Sequence, residues 1–131
     1  MKYLILMYGS QRDYDAMAGN AGSGDPAWSA TEFAAMGAFM ESFGRDLAES
    51  GELVDAQGLT APVHTRRIRL REGAPVVTDG PYAEAKEYLG SFTIVDCDSL
   101  ERALEIAARS PSARYWGVEV RPLMHEADVE P

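Results

Sequence analysis

Between Thr78 and Gly90 the chain gathers Asp79, Glu84, Lys86, Glu87 and the tyrosines Tyr82 and Tyr88 around one turn. Those residue types suit proton transfer, or the orientation of a polar ligand. Asp79-Gly80-Pro81 is expected to end a strand, because glycine tolerates positive φ and Pro81 has no N–H for a ladder. An aspartate at that place can overhang the mouth of a cavity and accept a proton once burial favours its neutral form. His64, the one histidine within the folded body, could trade a proton with Asp79 if the fold brings the two together. The plainer alternatives are a turn-forming Asp-Gly pair and a partly exposed strand histidine.

Arg66, Arg67, Arg69 and Arg71 form a basic run in an otherwise acidic chain. Strand alternation puts Arg66 with Ile68 and Leu70, and the other three arginines on the opposite face. The run reads either as a solvated edge protected from aggregation or, at Arg66, as a bidentate clamp for a ligand carboxylate. Lys86, flanked by Glu84 and Glu87, stays charged and could anchor a substrate, while Tyr82 and Tyr8 could donate hydroxyls to a developing oxyanion. Two histidines far apart in sequence give no metal-ligand spacing, so no metal or cofactor is expected. The glycines from Gly19 to Gly24 lack the strand, helix and Lys-Ser or Lys-Thr of a phosphate loop. Cys97 has no basic neighbour in sequence to lower its pKa and reads as a packing residue.

A chain of 131 residues with 46% hydrophobic content is expected to form a single domain over 1–124, with residues 125–131 as an acidic tail. The single cysteine suits a reducing compartment, and Met1 to Tyr8 reads as a strand, not a signal peptide, so a cytoplasmic location is expected. No apolar run approaches the about 20 residues that cross a bilayer. A formal charge of −9 opposes binding to nucleic acid or to an anionic membrane, which leaves a small organic ligand or another protein as partner.

Tyr3 to Tyr8 is apolar at every position, so both faces of that strand must be covered. Residues 9–27 have no clear period and read as a long loop, with a short helical turn around Tyr14 to Ala18. Ser29 and Glu32 make a capping box, Trp28 and Phe33 a hydrophobic staple, and Phe33, Met36, Met40, Phe43 and Leu47 one apolar stripe of a helix that Gly51 ends. Core packing accounts for that stripe. Strands follow at Glu52–Thr60 and Val63–Arg71, then the turn Glu72-Gly73-Ala74-Pro75, a return strand at Val76–Thr78, and a strand from about Ser91 to Cys97. A second helix is expected with Asp98 as cap and Leu100, Ala103, Leu104 and Ala107 buried, ended by Pro111. Trp116 to Leu123 is the last strand.

This order is a ferredoxin-like α+β fold, β-α-β-β-α-β with an added hairpin strand, in which both helices cover one face of an antiparallel sheet. The opposite face is left bare. A second copy related by a two-fold axis is the cheapest cover, so the expectation is a homodimer whose two sheets enclose a barrel-like interior.

The opening Met1-Lys2-Tyr3-Leu4-Ile5-Leu6-Met7-Tyr8, the string Val77-Thr78-Asp79-Gly80-Pro81-Tyr82-Ala83-Glu84-Ala85-Lys86-Glu87, the Leu89-Gly90 step and the ending Val118-Glu119-Val120-Arg121-Pro122-Leu123 resemble the YCII-related family. The resemblance is closest to its DGPF branch, with Tyr82 where Phe is usual, and covers nearly the whole chain. It implies a dimeric α+β barrel and, for some relatives, a link to extracytoplasmic-function sigma factors, but little about chemistry, since that family is largely without assigned reactions and is suspected to be enzymatic. Other branches carry a histidine near the start of the first helix; Thr31-Glu32-Phe33-Ala34-Ala35 contains none. The functional expectation is a small-molecule-binding protein that runs cofactor-free acid–base chemistry on a small carboxylate or enolisable carbonyl compound, with Asp79 as base, His64 as relay and Arg66 or Lys86 as anchor. The alternative is a non-catalytic, metabolite-sensing module that meets a transcription partner such as a sigma factor.

Overall fold

The computed structural model describes residues 1–18, 29–80, 88–114 and 117–124. In chain order the elements are β1 (Lys2–Gly9), α1 (Gln11–Met17), α2 (Ala30–Ser50), β2 (Leu53–Gly58), a 3₁₀ turn (Pro62–His64), β3 (Arg66–Arg71), β4 (Ala74–Asp79), β5 (Tyr88–Asp96), α3 (Leu100–Ala108), a second 3₁₀ turn (Pro111–Arg114) and β6 (Val118–Pro122). Four strands form an antiparallel sheet in the order β2-β5-β1-β6, and β3 and β4 form a separate two-stranded ribbon. Without the ribbon, inserted between the second and third core strands, this is the ferredoxin-like α+β fold.

Alternation along β1 sorts its apolar residues between two faces. Tyr3, Ile5 and Met7 are buried and pack with Val95 and Cys97 of the sheet, Phe43 and Leu47 of α2, and Ala103, Ile106 and Ala107 of α3. One core thus takes up both long helices on one face. Leu4 and Leu6 stand on the other face, opposite Ile94 and Phe92 of β5, and are half-buried. Cys97 is a packing residue whose thiol is pushed up by burial.

α2 starts where its caps place it. The Ser29 hydroxyl accepts from the Glu32 N–H at 3.2 Å, the Glu32 carboxylate accepts from the Ser29 N–H at 3.0 Å, and Gly51 closes the far end with φ of 80°. Trp28, the other half of the expected staple, lies outside the described residues. In α3 the cap is Ser99, not Asp98: its hydroxyl accepts from the Arg102 N–H at 3.1 Å. The buried face follows Ala103, Ile106 and Ala107, so Leu100 and Leu104 are exposed, contrary to the expected stripe. Ile106 is the only long aliphatic side chain on that buried face and turns the helix towards the sheet. Arg102 ties α3 to the start of β2 by donating to both carboxylate oxygens of Glu52, at 2.8 and 2.9 Å, which holds that carboxyl below its ordinary range.

Two further expectations need correction. Within the stretch read as a loop, Gln11–Met17 is a helix with its own capping box, in which Asp13 replaces the usual Glu or Gln. The ribbon turns at Glu72-Gly73 alone, with φ of 50° and 78°, and Ala74 and Pro75 already belong to β4. Two consecutive left-handed residues make the tight turn that matches strand twist. Every residue from Arg66 to Asp79 is exposed.

Candidate functional site

β1 and β5 slip by one position at Met7/Tyr8: Met7 pairs with Ser91 and Tyr8 with Leu89, leaving Gly90 unmatched. A bulge of this kind bends a strand and interrupts its ladder. The Gly90 carbonyl accepts from the Leu59 N–H at 2.8 Å and lies 3.2 Å from the Tyr14 hydroxyl of α1, which is also 3.1 Å from the Leu59 carbonyl. A Cβ at position 90 would stand 3.1 Å from that hydroxyl. Glycine therefore lets α1 close onto the bulged edge of the sheet.

Between the bulge, α1 and the first half of α2 lies a cavity of about 230 Å³. Met7, Met17, Phe33, Met36 and Met40 give it apolar walls. The stripe of α2 is thus divided: Phe43 and Leu47 fill the core, whereas Phe33 and Met36 face the hollow, with Met40 touching both. Methionine suits such a wall because its flexible thioether adapts to more than one shape.

Among the described residues the polar lining is concentrated on few groups. Asp13 is 4% exposed, and its Oδ2 accepts from the Ser10 N–H at 3.3 Å and from the Ser10 hydroxyl at 2.9 Å. Ser112 is 3% exposed; its N–H donates to the Ser110 hydroxyl, while its own hydroxyl has no hydrogen bond among the described residues. Ser91 lines the same space with a hydroxyl in the same condition. Burial pushes the Tyr14 phenol up, so it keeps its proton and stays a donor at neutral pH. Such a site can hold a mostly apolar molecule by one polar end.

The residues singled out from sequence fall in several places. Tyr8 lines the cavity. Asp79 and Arg66 sit opposite each other on the ribbon, where Arg66 Nε meets the Asp79 carboxylate at 3.1 Å and the guanidinium also donates to the Thr65 carbonyl at 2.9 Å. The Asp79 side chain is 81% exposed in the single chain. His64 belongs to a neighbouring cleft with Gln11, Asp15 and Val63, separated from the cavity by Tyr14 and Met17, which line both. No hydrogen bond or ion pair joins His64 to Asp79 among the described residues. Tyr82, Glu84 and Lys86 lie outside the described residues. Gly80 serves the turn by close approach and not by positive φ: its N–H donates to the Thr65 carbonyl at 2.8 Å, and a Cβ there would come within 2.9 Å of the Thr65 Cβ.

Asp13, Tyr14 and Ser112 were not among the expected site residues. A signal existed for the first, since Ser10-x-x-Asp13 is a capping box in its shorter-chain form. Ser112 gave none, because it reaches the cavity through the 3₁₀ turn after Pro111.

Among the described residues no group of His, Cys, Asp and Glu is arranged to hold a metal ion, and no helix is long and apolar enough to cross a membrane. The family model of the YCII-related domain matches residues 1–127. An uncharacterized protein of Rhizobium meliloti (strain 1021) is 33% identical over 125 residues, a span of 94% of this chain and 92% of that protein.

Proposed function

The chain belongs to the YCII-related family, and from that premise we propose that it binds a small organic molecule in the cavity beneath α1. The observation that carries this is an apolar hollow with a buried carboxylate and serine hydroxyls at its wall, a composition typical of ligand sites. The ribbon, by contrast, is exposed along its length, with Arg66 and Asp79 paired on it.

Homodimerisation is part of the proposal. Leu4, Leu6, Phe92 and Ile94 make an apolar patch on the helix-free face of the sheet, bordered by Asp55 and Gln57 of β2 and by Glu119 and Arg121 of β6, the pairing partners of that patch. An apolar centre with a polar border is the pattern of a self-complementary two-fold interface. Acid–base chemistry at Asp79, with His64 as relay, is proposed for that assembled form alone, in which a second copy could enclose the ribbon. Asp79→Asn separates catalysis from sensing: an enzyme loses turnover and keeps its ligand, whereas a sigma-factor-linked sensor keeps its ligand and has no turnover to lose.

Indole is a suitable probe for the cavity. It should raise the melting temperature of the wild-type protein in a saturable manner, and Met36→Trp, which fills the hollow from α2, should abolish the rise while leaving the far-ultraviolet circular dichroism unchanged. An equal rise in both proteins would place binding elsewhere and overturn the assignment.

A further inference from the structure

The ribbon of β3 and β4 has two unlike faces. Cross-strand pairing puts Ile68 opposite Val77 and Leu70 opposite Pro75 on one of them, with the Arg66–Asp79 pair at its root. Arg67, Arg69 and Arg71 share the other face with Val76 and Thr78, and together they line one hollow. Ile68, Leu70 and Val77 are 63%, 72% and 61% exposed in the single chain, each more open than the half-buried sheet patch of Leu4, Leu6, Phe92 and Ile94. A ribbon that served only to stay soluble would carry charge on both faces. One that is apolar on one side and basic on the other has the pattern of a strand pair that rests on a further surface.

The ribbon also stands away from its own chain. β3 and β4 pair with each other, and among the described residues neither packs more than marginally on a helix or on the four-stranded sheet. An isolated two-stranded hairpin is marginal in water, so its stability comes from its ends or from a neighbour. The ends are fixed. Glu72-Gly73 closes the tip, and at the root the Gly80 N–H donates to the Thr65 carbonyl at 2.8 Å while the Val63 N–H donates to the side-chain oxygen of Gln11 at 2.9 Å. Each strand has six residues, about 20 Å at the usual rise, which exceeds the roughly 14 Å between the outer strands of a four-stranded sheet.

A second copy of the chain fits the apolar face on two grounds. The first is charge: the ribbon carries four arginines against Glu72 and Asp79, so it is basic within a chain of net charge −9, and the body it meets in a partner is strongly acidic. Asp55 and Glu119 border the helix-free patch in particular. The second ground is area. Lasting interfaces take roughly 20–30 residues from each partner, whereas the sheet patch offers four apolar residues that are already half-buried. The ribbon adds Ile68, Leu70, Pro75 and Val77, all exposed. Under a two-fold axis each copy gives its ribbon and receives the other, so every contact forms twice.

We infer that the ribbon is a dimerisation arm: its apolar face, centred on Ile68 and Leu70, packs on the second copy beside the helix-free sheet face. This rests on the homodimer proposed above. The arm also brings Arg66 and Asp79, which share that face, under the cover of the partner.

Sedimentation of the full chain over a range of concentrations tests it. Leu70→Asp should raise the dimer dissociation constant at least about tenfold with unchanged far-ultraviolet circular dichroism, since Leu70 takes no part in the core of the single chain. The photo-cross-linker benzoylphenylalanine at position 70 should join two chains covalently, and at position 69, on the basic face, it should do so far less. Wild-type association in Leu70→Asp, with Phe92→Asp monomeric, would overturn the arm and leave the sheet-face dimer standing. Cross-linking from position 70 only within one chain would place the cover of that face in the same molecule and overturn the arm as well. A wild type that stays monomeric would remove the arm and the dimer together.

Discussion

Thr93 is 1% exposed on the core face of β5, opposite Ile5, and its hydroxyl has no hydrogen-bond partner among the described residues. A buried hydroxyl left unpaired costs about 1–3 kcal/mol relative to water. Thr93→Val keeps the branched shape, suits a strand and removes the orphan oxygen, so it should raise stability by about 1 kcal/mol, measured as a higher urea midpoint with unchanged slope. A fall in the midpoint would mean that the hydroxyl has a partner. At this scale the sequence was a partial guide. The aspartate turn announced itself because Asp-Gly-Pro has few other uses, yet its carboxylate pairs with Arg66 in the open, while among the described residues the carboxylate with enclosed surroundings is Asp13. A single sequence shows which residues are chemically able, and burial then decides among them.

At the scale of elements, the site depends on how α1 meets the β-bulge. The Tyr14 hydroxyl can reach the Leu59 and Gly90 carbonyls because position 90 has no side chain. Gly90→Ala should lower stability by about 1 kcal/mol through crowding at that hydroxyl, and the loss should shrink in a Tyr14→Phe background, where the crowded atom is gone. Equal losses in both backgrounds would place the strain elsewhere. α2 was legible in detail because Ser29, Glu32 and Gly51 agree with one apolar period. α1 was legible only as a short turn around Tyr14 to Ala18, since its seven residues make about two turns, too few to show an apolar stripe, and its cap uses aspartate. α3 was found but rotated, because leucines at 100 and 104 and small alanines at 103 and 107 compete for the same face, and close packing favoured the alanines with Ile106.

For the whole molecule, the order of elements was enough to identify a ferredoxin-like sheet, and β1 carried the strongest hint of what lies beyond one chain. Its inner residues fill the core, and its outer residues Leu4 and Leu6 join Phe92 and Ile94 on a face that no helix covers. If a second copy covers it, the protein sediments as a dimer at micromolar concentration and Phe92→Asp yields a folded monomer; a monomeric wild type would end the dimer proposal. The cavity lies on the opposite, helix-covered side, within one chain, so its ligand does not depend on that interface. A crystal structure of the protein soaked with indole tests the central claim most directly. The ring should appear between Met36 and Met40 of α2 and the bulge at Gly90, beside Asp13 and Ser112, whereas a ring on the ribbon or the open sheet face, with the cavity empty, would contradict the account.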